Sequence, residues 1–317
     1  MDEGDPTSQW LTGRPLAVRA VRRVLGQSDY VAHAGSFTGG ANAVYWVNII
    51  AERPDGLVVV TNITEGAKHE VESVQAPLEK DLLFPLLRSR DVSRWHAVPS
   101  AFIVAPQSVD DRKHGTPIPT MKTKYAKTLQ YLERFKELLE SRPAYVKFLK
   151  HEPYYALYDI KNYTFAQWKV VWTRVAAIEA AVTGPLDGKP IVPQETITLI
   201  DVPSNREAHF IASLVNAVPF QYAAAAYSQE GGKSMGTPGI LQNIRVPKFD
   251  PKDELHLRLA ELSKQAHKIA AKLERDQVKE SPEIKAIEEE VDQCAAKLWG
   301  LSDKELKEIK SALEELQ

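Results

Sequence analysis

The sequence is expected to fold as an α+β protein, a mixed β-sheet followed by a C-terminal helical hairpin or small bundle. Short apolar runs bounded by Gly, Pro or Asp crowd its first part, the punctuation of strands. After Asp250, apolar residues instead recur at alternating steps of four and three, which is helical periodicity.

In order, Val44 to Ile50, Leu57 to Asn62 and Ala101 to Ala105 read as strands. Pro99, Pro106, Pro117 and Pro119 then break the chain. Tyr125, Leu129, Leu132, Phe135 and Leu139 make one helical stripe, with Thr120 as its cap and Pro143 past its end. Glu152-Pro153-Tyr154-Tyr155 reads as a turn into a strand. Val170 to Val175, Ala180 to Thr183 and Thr196 to Asp201 are β-prone. Ser204-Asn205-Arg206-Glu207 has the capping-box pattern, backed by Ile211, Leu214, Val215 and Val218. Gln229 to Gly239 is a Gly-rich loop, and Ile244 to Pro251 is an extended boundary. Leu255 to Leu273 and Ile284 to Leu298 form two heptad-spaced runs. Ser281-Pro282 supplies a cap and an N1 proline between them, and Ser302 with Glu305 starts a third helix. Four segments follow: a β-rich part (1–118), a connecting helix (119–150), a central core (151–249) and a helical hairpin (250–317).

With 44% hydrophobic and 26% charged residues, the 317-residue chain has a globular balance and enough length for a sizeable core. One cysteine, Cys294, excludes an internal disulfide and argues against a structural zinc site, which suits a reducing cytoplasm. The acidic, polar start is unlike a signal peptide, and no apolar run reaches membrane-span length. The net charge of −2 hides an uneven distribution. Pro119 to Val175 holds 11 Lys and Arg against 5 Asp and Glu, a net of +6, whereas residues from Asp250 hold 12 against 17, a net of −5. A basic middle of this kind is either a solvated helix face or a surface for an anionic partner.

Several motifs invite a catalytic reading and fail it. Gly231-Gly232-Lys233-Ser234 resembles the end of a phosphate-cradling loop, but Tyr227 stands where the first glycine is needed and a helix precedes it. Glu152-Pro153-Tyr154-Tyr155 is one proline and one amide short of the loop that holds an exocyclic amine in amino-group methyltransferases. The eight histidines form no i, i+4 metal pair. Glu283-x-Lys285 and Glu308-x-Lys310 mimic part of a nuclease triad, but i, i+2 side chains diverge on a helix. No autonomous enzyme is indicated.

Several stretches together resemble one family, the N6-adenine DNA methyltransferases. Ser36 to Tyr45 (SFTGGANAVY) resembles the loop that follows their catalytic domain. Leu86 to Trp95 (LLRSRDVSRW) resembles their LLRGRDV-x-RW element, with Ser89 for the usual glycine. Tyr163 to Trp172 (YTFAQWKVVW) is similar to a segment of their target-recognition region. Glu207 to Pro219, Pro247 to Asp250, Leu255 to His267 and Leu298 to Ser302 are similar to their closing elements, in the same order. The family's cofactor motif and catalytic loop are absent from the sequence. The resemblance therefore implies a double-stranded DNA recognition module that works with a methyltransferase catalytic domain or subunit in a restriction–modification or related phage-defence system. It implies no cofactor in this chain, with S-adenosylmethionine on the partner domain.

DNA recognition needs cations for phosphate and a shaped polar surface for bases. The basic candidates are Lys122, Lys124 and Lys127 at the start of the connecting helix, where a helix N-terminus would add to them. On the 161–175 stretch, Lys161, Tyr163, Lys169 and Arg174 are assigned to the outer face, with Phe165, Val170 and Trp172 packing inward. Arg88, Arg90 and Arg94 have two readings, bidentate contact to phosphate or guanine, or an internal Arg90–Asp91 network holding the turn. Thr38 and Asn42 either present backbone N–H groups to phosphate or close a tight hairpin. Lys233 sits in the loop expected to enter a groove. An alternative function is a regulatory or assembly subunit that acts through protein–protein contacts of the C-terminal helices.

Overall fold

A computed structural model describes residues 14–175, 177–228, 235–278 and 281–316. Three sheets and ten α-helices are present among them. The mixed α+β class and the helical C-terminus are as expected.

After helix α1 (Pro15–Val21) and the short strand β1 (His33–Ala34), a helical turn α2 (Asn42–Tyr45) leads into β2 (Trp46–Glu52). Then come β3 (Leu57–Asn62), β4 (Gln75–Glu79), β5 (Leu83–Leu87), the small hairpin β6 (Val92–Ser93) and β7 (His96–Ala97), and β8 (Ala101–Val104). Helices α3 (Ile118–Lys124), α4 (Ala126–Glu133) and α5 (Lys136–Ser141) follow. The second half holds β9 (Trp168–Thr173), β10 (Ala181–Thr183), β11 (Val192–Pro193) and β12 (Ile197–Val202). It ends with α6 (Asn205–Asn216), α7 (Val218–Ser228), α8 (Glu254–Asp276), α9 (Pro282–Leu298) and α10 (Asp303–Glu314).

The larger sheet runs β11-β5-β8-β2-β3-β4 and is antiparallel except where β11 lies parallel to β5. Val58, Val60 and Asn62 of β3 turn inward at every second residue, the period of a half-buried strand. Helices α3 to α5 cover this face through Met121, Leu129, Leu132 and Leu139. The expected single helix is therefore three short ones, and it begins at Ile118 after Pro117 instead of after a Thr120 cap. The break at Tyr125 has a distant cause. The Glu79 carboxylate, at the end of β4, accepts from Lys127 N at 2.9 Å, Thr128 N at 2.8 Å and Thr128 Oγ1 at 2.6 Å, and so caps α4.

The smaller sheet, β1-β12-β9-β10, is antiparallel. Its strand β9 is buried on both faces. Val170 and Trp172 enter a core shared with α1, α6 to α10 and Trp95, whereas Val171 faces Leu87, Ile191 and Leu199 in a small cluster between the sheets. The heptad residues Leu259, Leu262, Ala266, Val291 and Cys294 belong to the same helical core, so α8 and α9 pack on α6 and each other. The caps at Ser281 and Ser302 form as expected, the second as a full capping box with Glu305. At Ser204 only half the box forms. Its hydroxyl accepts from Glu207 N, but the Glu207 carboxylate turns to Tyr30 Oη at 2.8 Å and Lys248 Nζ at 2.7 Å.

Candidate nucleic-acid interface

A cleft of about 450 Å³ opens where several sequence-distant segments meet, among its walls Phe37, Tyr158, Asp159, Arg174, Glu195 and Thr237. Backbone bridges pair Phe37 with Tyr158 and Ser36 with Gln194, which brings the first two walls together. Gly35 permits this approach, because a Cβ there would lie 2.1 Å from the carbonyl oxygen of Gln194. On the opposite side Gly236 sits against Thr173 and Arg174, and its carbonyl accepts from Trp172 Nε1 at 2.9 Å.

Cations border this opening. Arg174 Nη1 donates to the Glu195 backbone carbonyl at 3.0 Å, and Lys161 pairs with Asp159 at 3.4 Å. Burial raises the Glu195 carboxyl above its ordinary range, while Arg174 and Lys68 oppose the shift. Tyr163 is half-buried beside the cleft. Its ring stacks on His33 at 3.9 Å and its hydroxyl donates to the Asp159 carbonyl at 3.0 Å. Burial holds the His33 imidazole below its ordinary value, with Asp201 opposing.

The loop 38–42 adjoins this region. It is no hairpin: Gly39 and Gly40 have φ of 70° and 90° and the chain passes directly into α2. The Thr38 hydroxyl donates to the Asn42 side-chain carbonyl and is buried. Beneath the loop lies Arg142, which pattern reading missed. Only 3% exposed, it donates to the carbonyls of Leu139 at 2.9 Å, Thr38 at 3.1 Å, Tyr154 at 2.7 Å and Ala156 at 3.0 Å. Its guanidinium also lies over the Tyr45 ring, 5.4 Å from the centroid. All four carbonyls are spent on one buried cation, which orders the Gly-Gly loop from below.

Other expected cations lie elsewhere. Lys169 is fully buried, not on an outer face, because β9 has no solvent face at that position. Its Nζ donates to the carbonyls of Ala166 and, at 2.9 Å, Ile191, and burial pushes its amine down to about 7. Arg88 is buried and pairs with Asp91 at 3.6 Å, so the network at this turn uses Arg88 instead of Arg90, which is exposed. Arg94 is ion-paired with Glu288 and donates to the Asn216 carbonyl at 2.8 Å, on the helical core. Lys122 and Lys124 occupy the last turn of α3, not a helix start. Lys127 lies in the first turn of α4, whose N–H groups at Lys127 and Thr128 are taken by Glu79. The three lysines are exposed but none lines the cleft. Lys233 lies outside the described residues, as does the Gly231–Ser234 motif.

The motif at Glu152 is structural: its carboxylate accepts from Gly115 N at 3.0 Å, and Tyr155 is buried with its hydroxyl donating to Thr116 O at 2.6 Å. Among the described residues no cluster of His, Cys, Asp or Glu is placed to hold a metal ion, and no helix is long and apolar enough to cross a membrane.

No family model matches the chain. It is 23% identical over 142 residues to the type II methyltransferase M.NspV of Nostoc sp., which covers 44% of this chain and 28% of that protein. Among solved structures, the type IIL restriction-modification enzyme MmeI, determined in complex with DNA, superposes with a TM-score of 0.53 over 90% of this chain at 7% identity. The type IIG restriction endonuclease BpuSI superposes with a TM-score of 0.51 over 96% of it at 13% identity. The chain spans 35% and 32% of those two proteins, about a third of each. It therefore has weak sequence similarity to a type II methyltransferase and shares its fold with parts of two restriction-modification enzymes.

Proposed function

We propose that this chain recognises a specific double-stranded DNA sequence and positions an N6-adenine methyltransferase domain on it, within a restriction–modification or related defence system. Methyl transfer, with S-adenosylmethionine as donor, belongs in this reading to the partner catalytic domain. The observation that carries it is the cleft. Side chains of Phe37, Tyr158, Asp159, Arg174, Glu195 and Thr237 converge there, with Lys161 paired to Asp159 beside them, and they bring cations, aromatic rings and hydrogen-bonding groups to one opening. Phosphate contact needs the first, and base readout needs the other two. The likeness to restriction-modification enzymes supports the reading at the level of fold.

Selection from a pool of random duplexes tests it. The purified chain is expected to retain duplexes that converge on one short sequence, with retention that weakens as salt rises. A pool that stays random, or a chain that retains no duplex at low salt, overturns the reading.

A further inference from the structure

We propose that the Phe148–Tyr158 ring pair is a stacking ledge for a nucleobase that has left the DNA helix, and that the cleft behind it receives the base. This rests on the DNA-binding reading and adds a site and a ligand to it. Phe148 lies on one turn of π-helix, Tyr145–Leu149, and is 55% exposed. Isolated exposed apolar residues are ordinary; this one is not isolated. Its ring stacks on Tyr158 with centroids 5.1 Å apart and planes 25° from parallel, and Tyr158 meets Phe37 edge-on at 6.2 Å. The three rings form a continuous apolar wall that runs from the surface into the cleft, where Phe37 and Tyr158 are lining residues.

Charge selects the occupant. Lys147 and Lys150 flank Phe148 in sequence and are exposed, Lys161 stands at the mouth and Arg174 lines the cleft. The acidic side chains nearby are answered: Asp159 by Lys161, and Glu195 by Arg174 and Lys68. A nucleobase offers a flat π-face to the rings and brings phosphates on both sides for the lysines. An apolar peptide would offer no anion to Lys147, Lys150, Lys161 or Arg174, the last two of which already have protein partners. The cleft volume of about 450 Å³ falls within the range of small-molecule sites. The Glu195 carboxyl and the Arg174 guanidinium, both lining the cleft, are groups that hydrogen-bond a base edge.

The test uses one duplex carrying a single bulged 2-aminopurine and the same duplex fully paired, titrated at low salt. The bulged duplex is expected to bind at least roughly 5-fold tighter, the low end of what one base–aromatic stack supplies, with quenching of its fluorescence. Phe148→Ala is expected to abolish both the preference and the quenching. It should leave affinity for the paired duplex within about two-fold and the urea midpoint unchanged, because an exposed ring contributes little to the fold. Phe148→Trp is expected to retain both effects. Equal affinity for the two duplexes, or a preference that survives Phe148→Ala, overturns the proposal while paired-duplex binding keeps the DNA reading intact. If neither duplex binds, both fall.

Discussion

Lys169 Nζ lies 2.9 Å from the carbonyl oxygen of Ile191, with no solvent exposure of the lysine side chain, in the seam between the two sheets. A basic residue in the most basic part of the chain thus has a folding role. Burial lowers its amine from the ordinary 10.5 to about 7. Between those values the unfolded chain binds the proton and the folded chain does not, so stability rises with pH across this window. Lys169→Met is expected to flatten the rise in urea midpoint measured from pH 7 to 9. Readings stop there because buried Tyr131 and Tyr155 hold their phenol protons in the fold, which lowers stability once the unfolded phenols ionise near the ordinary 10.0. Lys169→Glu is expected to unfold the protein, not to weaken DNA binding selectively.

The opposite end of the pH scale is set by two histidines. His209 Nδ1 lies 3.0 Å from Ser263 Oγ, and His267 takes the Val182 N–H on Nε2 at 2.9 Å and meets Ser263 O at 2.7 Å through Nδ1. Burial pushes them down to about 3 and about 4 from an ordinary 6.5. Both are neutral in the fold, and the unfolded chain takes up their protons first as pH falls. The stability they support is complete above pH 6.5 and is lost progressively towards pH 4. His267→Gln is expected to lower the midpoint at pH 7.5 and to make the loss between pH 6.5 and 4 shallower. An unchanged slope in acid titrations followed by circular dichroism would remove this role.

How far these features are readable from the chain depends on sequence separation. Ser302 and Glu305 stand three residues apart, and their capping box was legible, as was β3 from its alternation. Glu79 caps a helix 48 residues away, Arg142 reaches a carbonyl 104 residues away, and Lys169 finds one 22 residues on. No local pattern encodes such partners. The Ala-rich α7 lacked a stripe because it is buried nearly all round, so periodicity had nothing to report. Strand alternation misplaced Lys169 because it assumes one solvated face, and β9 has none. Of the residues that the aromatic-basic stretch pointed to, Arg174 lines the cleft and Lys161 and Tyr163 lie beside it, whereas Phe37, Phe148 and Tyr158 entered only through tertiary contact.

Arg142 has no carboxylate partner within 4 Å among the described residues, so its removal is not the breaking of an ion pair. Arg142→Met leaves four buried carbonyls without a donor and is expected to cost about 3 kcal/mol or more in urea unfolding. Arg142→Lys is expected to rescue little, because one ammonium cannot span acceptors fixed by a planar fork. Full rescue by lysine would show that charge, not geometry, holds the loop 38–42.

The proposed DNA reading assigns different roles to the cations outside and inside the cleft. Arg94 is spent on Glu288 and Asn216, so Arg94→Gln is expected to lower stability by about 1 kcal/mol and leave the dependence of DNA affinity on salt unchanged. Lys161 and Arg174 stand at the opening, and the proposed DNA reading has them exchange a salt bridge and a carbonyl contact for phosphate. Each phosphate contact removed should reduce the slope of log affinity against log salt by about 0.9. Lys161→Gln combined with Arg174→Gln is therefore expected to flatten it by nearly two, at a stability cost of about 1 kcal/mol for the lost carbonyl contact. The same flattening by Arg94→Gln, or none by the double variant, would place the phosphate track on another face of the molecule.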